Sequence, residues 1–219
     1  MAQINVAATK RLKNNEPGLL GNWPMEETEG VLAKDIVRER HATIVSGTWQ
    51  VALKGNALVT NALATPTVKS PAYLDVSDFS IEFWFKGNGT TSATLLSNGK
   101  GDNSDLNTNG WSVNVNSSGL LEVRNNNNLF NASTINYFDN QWHHFALVVN
   151  RMTNTVCYID GNQQNSAESK SLGFSGFGGA ALHLGSMGWV DSLGITQQAQ
   201  RFSGARDEIR VWQGARTAL

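Results

Sequence analysis

Two tryptophans lie in sequence contexts where they could bind a sugar. Trp111 follows a segment rich in asparagine and glycine, and Trp189 lies in residues 186–192, which have no strand pattern. An aromatic ring stacks on the apolar face of a pyranose, while planar amides and carboxylates bind its hydroxyl groups. Trp111, Trp189 and Tyr137 are therefore candidate ring platforms, and the alternative is that they cap the hydrophobic core.

Carboxylates and amides lie close to these rings in the sequence. Residues 98–105 form a loop-like segment with two acids and two amides, and a further acid follows Trp189 by two positions. Such groups suit sugar hydroxyls or Ca²⁺, which prefers oxygen ligands. A solvated loop is the alternative, because asparagine favours turns and the chain has 24 asparagines. The predicted ligand-binding residues are Trp189, Trp111, Asp102, Asn103, Asp105 and Asp191.

The spacing of acids and histidines does not favour catalysis. Retaining glycoside hydrolysis needs two carboxyl groups about 5–5.5 Å apart, which on one strand means alternate positions. Asp207 and Glu208 are adjacent, so a regular strand points them to opposite faces, and the same holds for His143 and His144. The sequence has no metal-site spacing of histidines, no Gly-x-Ser-x-Gly motif and no phosphate-binding loop motif. We predict a binding protein, not an enzyme.

Composition narrows the classes of partner. The 17 basic and 18 acidic residues give a net charge of −1, which offers no electrostatic basis for binding nucleic acid or an anionic membrane. No apolar run is long enough for membrane insertion. Cys157 cannot form an intrachain disulfide, because it is the single cysteine, and its apolar neighbours predict that it is buried. Residues 1–15 lack the apolar core of a signal peptide, which does not exclude secretion of an excised module.

Short apolar or alternating segments between turn residues predict an all-β fold. Ile81, Phe83 and Phe85 share one face of such a segment, and Glu82 and Trp84 share the other. No helix of ten or more residues is predicted, which argues against a parallel sheet and for a two-sheet antiparallel β-sandwich. The predicted strands are residues 18–24, 43–51, 57–59, 80–86, 94–98, 110–116, 120–124, 141–150, 155–160, 180–185 and 205–212.

The domain organisation is simple. Residues 17–219 contain no internal repeat and no convincing linker, so we predict one domain there, preceded by a polar lead-in or linker at residues 1–16. Residues 34–41 could form a single helical turn. Four other tryptophans occur in strand-like contexts and are predicted to lie in the core: Trp23, Trp49, Trp142 and Trp212.

Several of these segments, taken in order, resemble those of a known family. The matching segments are residues 18–30, Asp35 with residues 41–44, residues 79–86, 142–146, 158–161, 182–185 and 202–212. Together they resemble the laminin G-like jelly-roll module of the concanavalin A-like lectin/glucanase superfamily. The resemblance covers most of the chain, and it implies that the sandwich is a concanavalin A-like jelly roll.

The resemblance also implies a function and a metal. It suggests a structural Ca²⁺ held by Asp35 and Asp207, which would connect the two ends of the chain. It implies a non-catalytic carbohydrate-binding module of a larger extracellular or cell-surface protein, with a glycan or a surface protein as partner. One alternative is a protein-adhesion or structural spacer domain without a sugar site. A second is a glucanase-like glycoside hydrolase, for which the paired-carboxylate motif is missing.

Overall fold

A computed structural model of the chain describes residues 16–44, 46–52, 54–61, 67–69, 77–89, 91–99, 110–125, 128–168, 181–190 and 196–217. These residues form strands and turns and include no helix, which confirms the all-β prediction. The strands are β1 (Leu19–Trp23), β2 (Leu32–Ala33), β3 (Ala42–Thr43), β4 (Thr48–Val51), β5 (Asn56–Asn61), β6 (Thr67–Lys69), β7 (Phe79–Gly87), β8 (Ala93–Gly99), β9 (Gly110–Val115), β10 (Leu121–Asn125), β11 (Asn128–Asn131), β12 (His143–Val149), β13 (Asn154–Ile159), β14 (Asn162–Glu168), β15 (Ala181–Leu184), β16 (Met187–Val190), β17 (Thr196–Ala199) and β18 (Ser203–Gln213).

The strands form two antiparallel eight-stranded sheets. Sheet A has the order β14-β13-β12-β7-β18-β5-β4, and β1 also pairs with β18. Sheet B has the order β11-β10-β9-β8-β15-β6-β3-β2. The strands β16 and β17 form a separate hairpin. This arrangement is the predicted two-sheet sandwich, in which each sheet buries one face against the other.

The core lies between the two sheets and is built by alternation along the strands. In β7, Phe79, Phe83 and Phe85 point inward and are buried. Sheet B contributes Trp111 and Val113 from β9, and the ring of Trp111 stacks on that of Phe79 with centroids 5.7 Å apart. The predicted inward face of β7 is therefore correct, and its aromatic residues supply much of the apolar area buried by the fold.

One cation lies inside this core. Arg206 of β18 is in register with Phe85, so it occupies an inward position. It is fully buried, donates a hydrogen bond to Thr60 Oγ1 at 2.7 Å and lies over the ring of Phe202 at 5.0 Å. Burial lowers the pKa of Arg206 to about 9. Its guanidinium also packs directly against Gly185, because a Cβ atom at this glycine would overlap it.

Two predictions near the start of the chain were wrong in detail. Residues 43–51 were expected to form one strand, but β3 belongs to sheet B and β4 to sheet A. The chain crosses between the sheets near Gly47, which packs closely against Leu58 and the Val59 carbonyl. Residues 34–41 form a loop with a turn at 36–38 instead of a helical turn.

The long strand β18 organises sheet A. It pairs with β7 along most of its length, with β5 near its start and with β1 near its end. A bulge between Asp207 and Arg210 interrupts the ladder, and Glu208 there has a φ of 50°. The expectation that Asp207 and Glu208 point to opposite faces assumed a regular strand, and the bulge removes that regularity. The Glu208 carboxylate forms an ion pair with the Arg210 guanidinium. Beyond the bulge, the Gln213 N–H donates to the Gly18 carbonyl at 2.7 Å.

Candidate functional site

The outer face of sheet A carries a groove of about 350 Å³, which we call the sheet A groove. Its floor consists of small side chains on β5 and β18. Val59 of β5 pairs with Ala205 of β18, and Ala205 pairs on its other side with Lys86 of β7. Ala57 is two residues before Val59 and therefore lies on the same face of β5. Larger side chains on β4 and on the β7–β12 side rise on either side of this floor. The volume falls within the range of about 300–1,000 Å³ that is usual for small-ligand sites.

Trp142 forms part of one wall of the groove. It directly precedes β12, and because His143 pairs with Phe85, Trp142 lies beside Lys86 on the outer face. The indole is half-buried and makes no ring contact or hydrogen bond with any residue in the described ranges. The sequence-based placement of Trp142 in the core was therefore wrong. Phe145 takes the inward position, and alternation turns Trp142 outward.

Neutral amides lie on both sides of the groove. Asn88 and Asn140 lie on the Trp142 side of the groove, and Gln50 and Asn61 lie on the other side; all four are exposed. The Asn140 N–H donates to the Gly87 carbonyl at 2.8 Å, which fixes this residue at the rim. An amide side chain both donates and accepts hydrogen bonds, as a sugar hydroxyl does. The groove thus combines a ring and several amides.

A histidine fixes the segment that carries Asn140 and Trp142. His143 Nδ1 lies 2.7 Å from Asp160 Oδ2, and Nε2 lies 3.1 Å from Asp139 Oδ1. The Asp160 carboxylate also accepts the backbone N–H of His144 at 2.8 Å. His143 and His144 are in register with Phe85 and Trp84 respectively, so they face opposite sides, as predicted. Each nitrogen of the His143 ring therefore contacts a carboxylate, and these contacts hold the segment that forms this wall of the groove.

Further along β7, on the same outer face, Glu82 is the centre of a polar cluster. Its carboxylate accepts a hydrogen bond from Trp212 Nε1 at 3.0 Å and lies 3.3 Å from His144 Nε2 and 3.5 Å from Arg210 Nη1. Burial by itself would raise the pKa of Glu82, but the hydrogen bond to His144 and the charge of Arg210 lower it to about 2. Glu82 is thus a fixed anion, already paired by its neighbours.

Around β8 and β9, the outer face of sheet B carries polar side chains that are buried. The Thr94 hydroxyl donates to Asn114 Oδ1 at 2.7 Å, and the Ser97 hydroxyl donates to the Ser186 carbonyl at 2.7 Å. The Thr94 N–H donates to the Gln200 carbonyl at 2.6 Å. Ser186 and Gln200 flank the β16–β17 hairpin, so these bonds anchor the hairpin on sheet B. The polar groups named here are buried and satisfied within the chain, apart from Gln200, which is exposed.

The structure changes the set of candidate rings. Trp111 is 2 % exposed and stacked on Phe79, so it offers no face to a ligand, contrary to the prediction. The signal for burial was its alternation with Val113 and Val115 in β9. Tyr137 is half-buried, with its ring edge-on to His143 at 5.0 Å.

The other predicted ligand residues keep their status as predictions. Trp189 lies in β16 and pairs with Gln197 of β17, so its segment is a strand and not the irregular loop that was expected. Asp102, Asn103, Asp105 and Asp191 lie outside the described residues.

Asp35, one of the two predicted calcium ligands, organises the loop after β2. Its Oδ1 accepts the N–H groups of Asn22 at 3.0 Å and Val37 at 2.9 Å, and its Oδ2 accepts those of Arg38 and Arg40, both at 3.2 Å. Four backbone donors therefore already surround this carboxylate. These bonds satisfy both carboxylate oxygens of Asp35 from within the chain.

Asp207, the other predicted ligand, has a different environment. It is buried, and its Oδ1 accepts no hydrogen bond from a residue that the structure describes. Burial and the charges of Glu208 and Glu26 raise the pKa of Asp207 to about 8. A divalent cation would relieve this excess of negative charge. Within the described ranges, however, no three His, Cys, Asp or Glu side chains are grouped as metal ligands.

Comparison with known families decides the class of this fold. A laminin G family model, described as the concanavalin A-like lectin/glucanases superfamily, matches residues 58–219. The chain belongs to this superfamily. A search of curated proteins found no sequence that matches this chain. None of its described elements is an apolar helix of membrane-spanning length.

Many solved structures resemble this chain, and three of them are described here. Domain 4 of AbnA, an extracellular GH43 arabinanase from Geobacillus stearothermophilus, was solved with arabinotriose; it is 20 % identical, with a TM-score of 0.64 over 93 % of this chain and 96 % of that domain. The binding domain of Paraclostridial Mosquitocidal Protein 1 is 15 % identical, with a TM-score of 0.67 over 92 % and 50 %. Trypanosoma rangeli sialidase is 12 % identical, with a TM-score of 0.66 over 100 % and 34 %.

These similarities show the fold alone, because every identity is low. This chain spans half the length of the mosquitocidal binding domain and about a third of the length of the sialidase. It matches nearly the whole of the arabinanase domain.

Proposed function

We propose that this chain is a non-catalytic glycan-binding module of a larger extracellular or cell-surface protein, and that it binds its ligand in the sheet A groove. The observation that carries the proposal is the half-buried Trp142 ring beside exposed amides in a groove of about 350 Å³. The ring suits the apolar face of a sugar, and the amides of Asn88 and Asn140 suit its hydroxyls. Neither amide side chain forms a hydrogen bond to a described residue, so both are available to a ligand.

Binding without catalysis is supported by the charges at the groove. Glycoside hydrolysis needs a pair of carboxyl groups beside the scissile bond. The described residues that line the groove include no carboxylate. Glu82, on the same face, is paired with Arg210 and His144, and its low pKa makes it a poor proton donor.

The comparisons support recognition as the kind of function. The arabinanase domain of similar size was solved with a bound trisaccharide, and the mosquitocidal structure is a binding domain. An extracellular location is proposed by the same analogy with the secreted arabinanase. A protein-adhesion or spacer domain remains the alternative, and the experiment below distinguishes it.

The affinity for one site is expected to be weak. A ring stacked on a single tryptophan makes few contacts to offset the association entropy, so we expect a Kd no tighter than about 0.1 mM. Repeated copies in a longer parent chain would then supply useful avidity.

The test is a glycan array followed by titration calorimetry with the best ligand. Trp142→Ala should reduce affinity at least about tenfold, as expected for loss of the main stacking contact. Tyr158→Ala is the matched control, because Tyr158 is a half-buried aromatic on β13, outside the groove. The Tyr158→Ala variant should bind the ligand with the affinity of the unmodified protein.

Two other results would change the proposal. Loss of binding in Trp189→Ala, with Trp142→Ala unaffected and both variants folded, would move the site to the β16–β17 hairpin and its neighbouring loops. Absence of any ligand on the array, with or without calcium, would favour the adhesion or spacer domain.

A further inference from the structure

Lys86 supplies the only charge among the described lining residues of the sheet A groove. We propose that the groove selects acidic glycans, in which a sugar carboxylate pairs with the Lys86 ammonium while a ring of the glycan lies against Trp142. This inference rests on the proposed function and names the class of its ligand.

The position of Lys86 follows from the register of sheet A. It pairs with Ala205 on one side and lies beside Trp142 on the other, so it stands between the groove floor and the aromatic wall. The side chain of Phe85, the preceding residue, belongs to the opposite, inward face. Lys86 is therefore one of the residues that line the groove, on the side of the floor nearest Trp142.

No residue that the structure describes supplies a counter-charge to Lys86. It is half-buried, and its ammonium forms no ion pair or hydrogen bond with any residue that the structure describes. Most lysines at a surface extend into water, where a pairing partner adds little. Partial burial in a groove removes some of that water, so an anionic ligand would replace lost solvation and gain a charge-assisted hydrogen bond.

Neighbouring acids do not neutralise this site. Asp139 adjoins the rim residue Asn140, but its carboxylate already contacts His143 Nε2 at 3.1 Å and accepts the Gln141 N–H at 2.9 Å. Glu82 and Asp207 are on the same sheet, and neither lines the groove. An acidic sugar therefore meets one cation and several amides there, and no described carboxylate repels it.

The acid belongs to a sugar and not to an acidic peptide, because of the groups around Lys86. A peptide rich in acids would need several cations, whereas the groove offers one among its described residues. Exposed amides such as Asn88, Asn140 and Gln50 match a ligand with one acid and many hydroxyls. Uronic and sialic acids have this chemistry.

The experiment uses an array on which uronic acid oligomers and sialylated glycans are each printed beside the carboxyl-reduced, neutral form of the same glycan. The unmodified protein should bind at least one acidic glycan about tenfold more tightly than its neutral form, as expected for one charged hydrogen bond. The preference should shrink as salt rises from about 0.05 to 0.5 M, because salt screens exposed charges.

Four variants, each checked to be folded, separate the roles. Lys86→Gln should bring the acidic glycan to the affinity of the neutral one, and Lys86→Arg should retain most of the preference. Lys34→Gln removes an exposed lysine outside the groove and should change nothing. Trp142→Ala should weaken binding of both forms.

The outcomes also separate this inference from the proposed function. Equal binding of acidic and neutral forms, or a preference that survives in Lys86→Gln, overturns the selection of acidic glycans while leaving glycan binding intact. No binding of either form by the unmodified protein overturns both.

Discussion

The ring of Phe79 in β7 stacks on the ring of Trp111 in β9, with centroids 5.7 Å apart, so one aromatic pair joins the two sheets. The same strand that buries Phe79 presents Glu82, Trp84 and Lys86 on its other face. Strand β7 therefore supplies both the centre of the core and a wall of the proposed site. Substitutions along it should separate stability from binding.

The first prediction contrasts two aromatic truncations. Phe83 is 1 % exposed and packs against Phe145 at 5.4 Å, so Phe83→Ala should lower the free energy of unfolding by about 3–5 kcal/mol. Trp142 is half-buried at the groove, so Trp142→Ala should cost only about 1 kcal/mol. Urea denaturation measures both. A loss above about 3 kcal/mol in Trp142→Ala would show that its ring is part of the core.

The second prediction concerns acid stability. The pKa of Glu82 is lowered from 4.5 to about 2, so its contribution to stability is fully present above about pH 4.5 and is lost as pH falls toward 2. The size is on the order of 3 kcal/mol, from the shift in pKa. Denaturant unfolding at a series of pH values should show this loss.

Glu82→Gln is the control for that slope. It keeps the shape of the side chain and removes its titration, so the loss of stability between pH 4.5 and 2 should become smaller. An unchanged slope would assign the acid sensitivity to other carboxylates.

The third prediction is a calcium effect. A structural Ca²⁺ at Asp207, with Asp35 as the other predicted ligand, would bind only the folded state and raise the melting temperature by mass action. Asp207 fits this role, because its buried Oδ1 has no hydrogen-bond partner among the described residues and because the acids Glu208 and Glu26 lie nearby. Differential scanning calorimetry in millimolar calcium and in chelator measures the shift.

Variants at the two acids tell them apart. Asp207→Asn should abolish the calcium-dependent shift. Asp35→Asn should destabilise the fold in chelator as well, because Asp35 holds four backbone N–H groups. Equal melting temperatures in calcium and chelator for the unmodified protein would exclude a calcium site that stabilises the fold.

The fourth prediction tests the packing of the buried arginine. Gly185 has a φ of 96°, and an added Cβ would overlap the Arg206 guanidinium, which has little room to move between the sheets. Gly185→Ala should therefore cost more than about 2 kcal/mol, from backbone strain and steric overlap together. Gly30→Ala is the matched control, since Gly30 has a similar φ of 88° with no heavy atom within 4 Å of the added Cβ. It should cost about 1 kcal/mol, and equal costs would contradict the overlap.

The sandwich was predictable from the sequence because alternation is a local signal. The alternation of Phe83 and Phe85 predicts the inward face of β7, and the turn residues between strands indicate antiparallel pairing. The same rule, applied to Trp111-x-Val113-x-Val115 or backward from Phe145 to Trp142, would have placed both tryptophans correctly. Each was instead judged by its neighbours in sequence, and that is why they exchanged roles.

The sheet A groove could not be predicted from sequence alone. It depends on β4, β5, β18 and β7 lying side by side, and more than a hundred residues of the chain separate β18 from the other three strands. The bulge at Glu208 was equally hidden, because one inserted residue changes facing without changing composition.

The pairing of β1 with β18 also determines how the fold bears force. The two strands are antiparallel, and the start of β1 meets the end of β18, where the Gln213 N–H bonds the Gly18 carbonyl. Tension applied at residues 16 and 217 would load these hydrogen bonds one after another and not all together. In a longer chain pulled from both ends, β1 would therefore separate from β18 one hydrogen bond at a time and expose the buried Trp23. Strands β7 and β12, which carry walls of the groove, would still be paired at that stage.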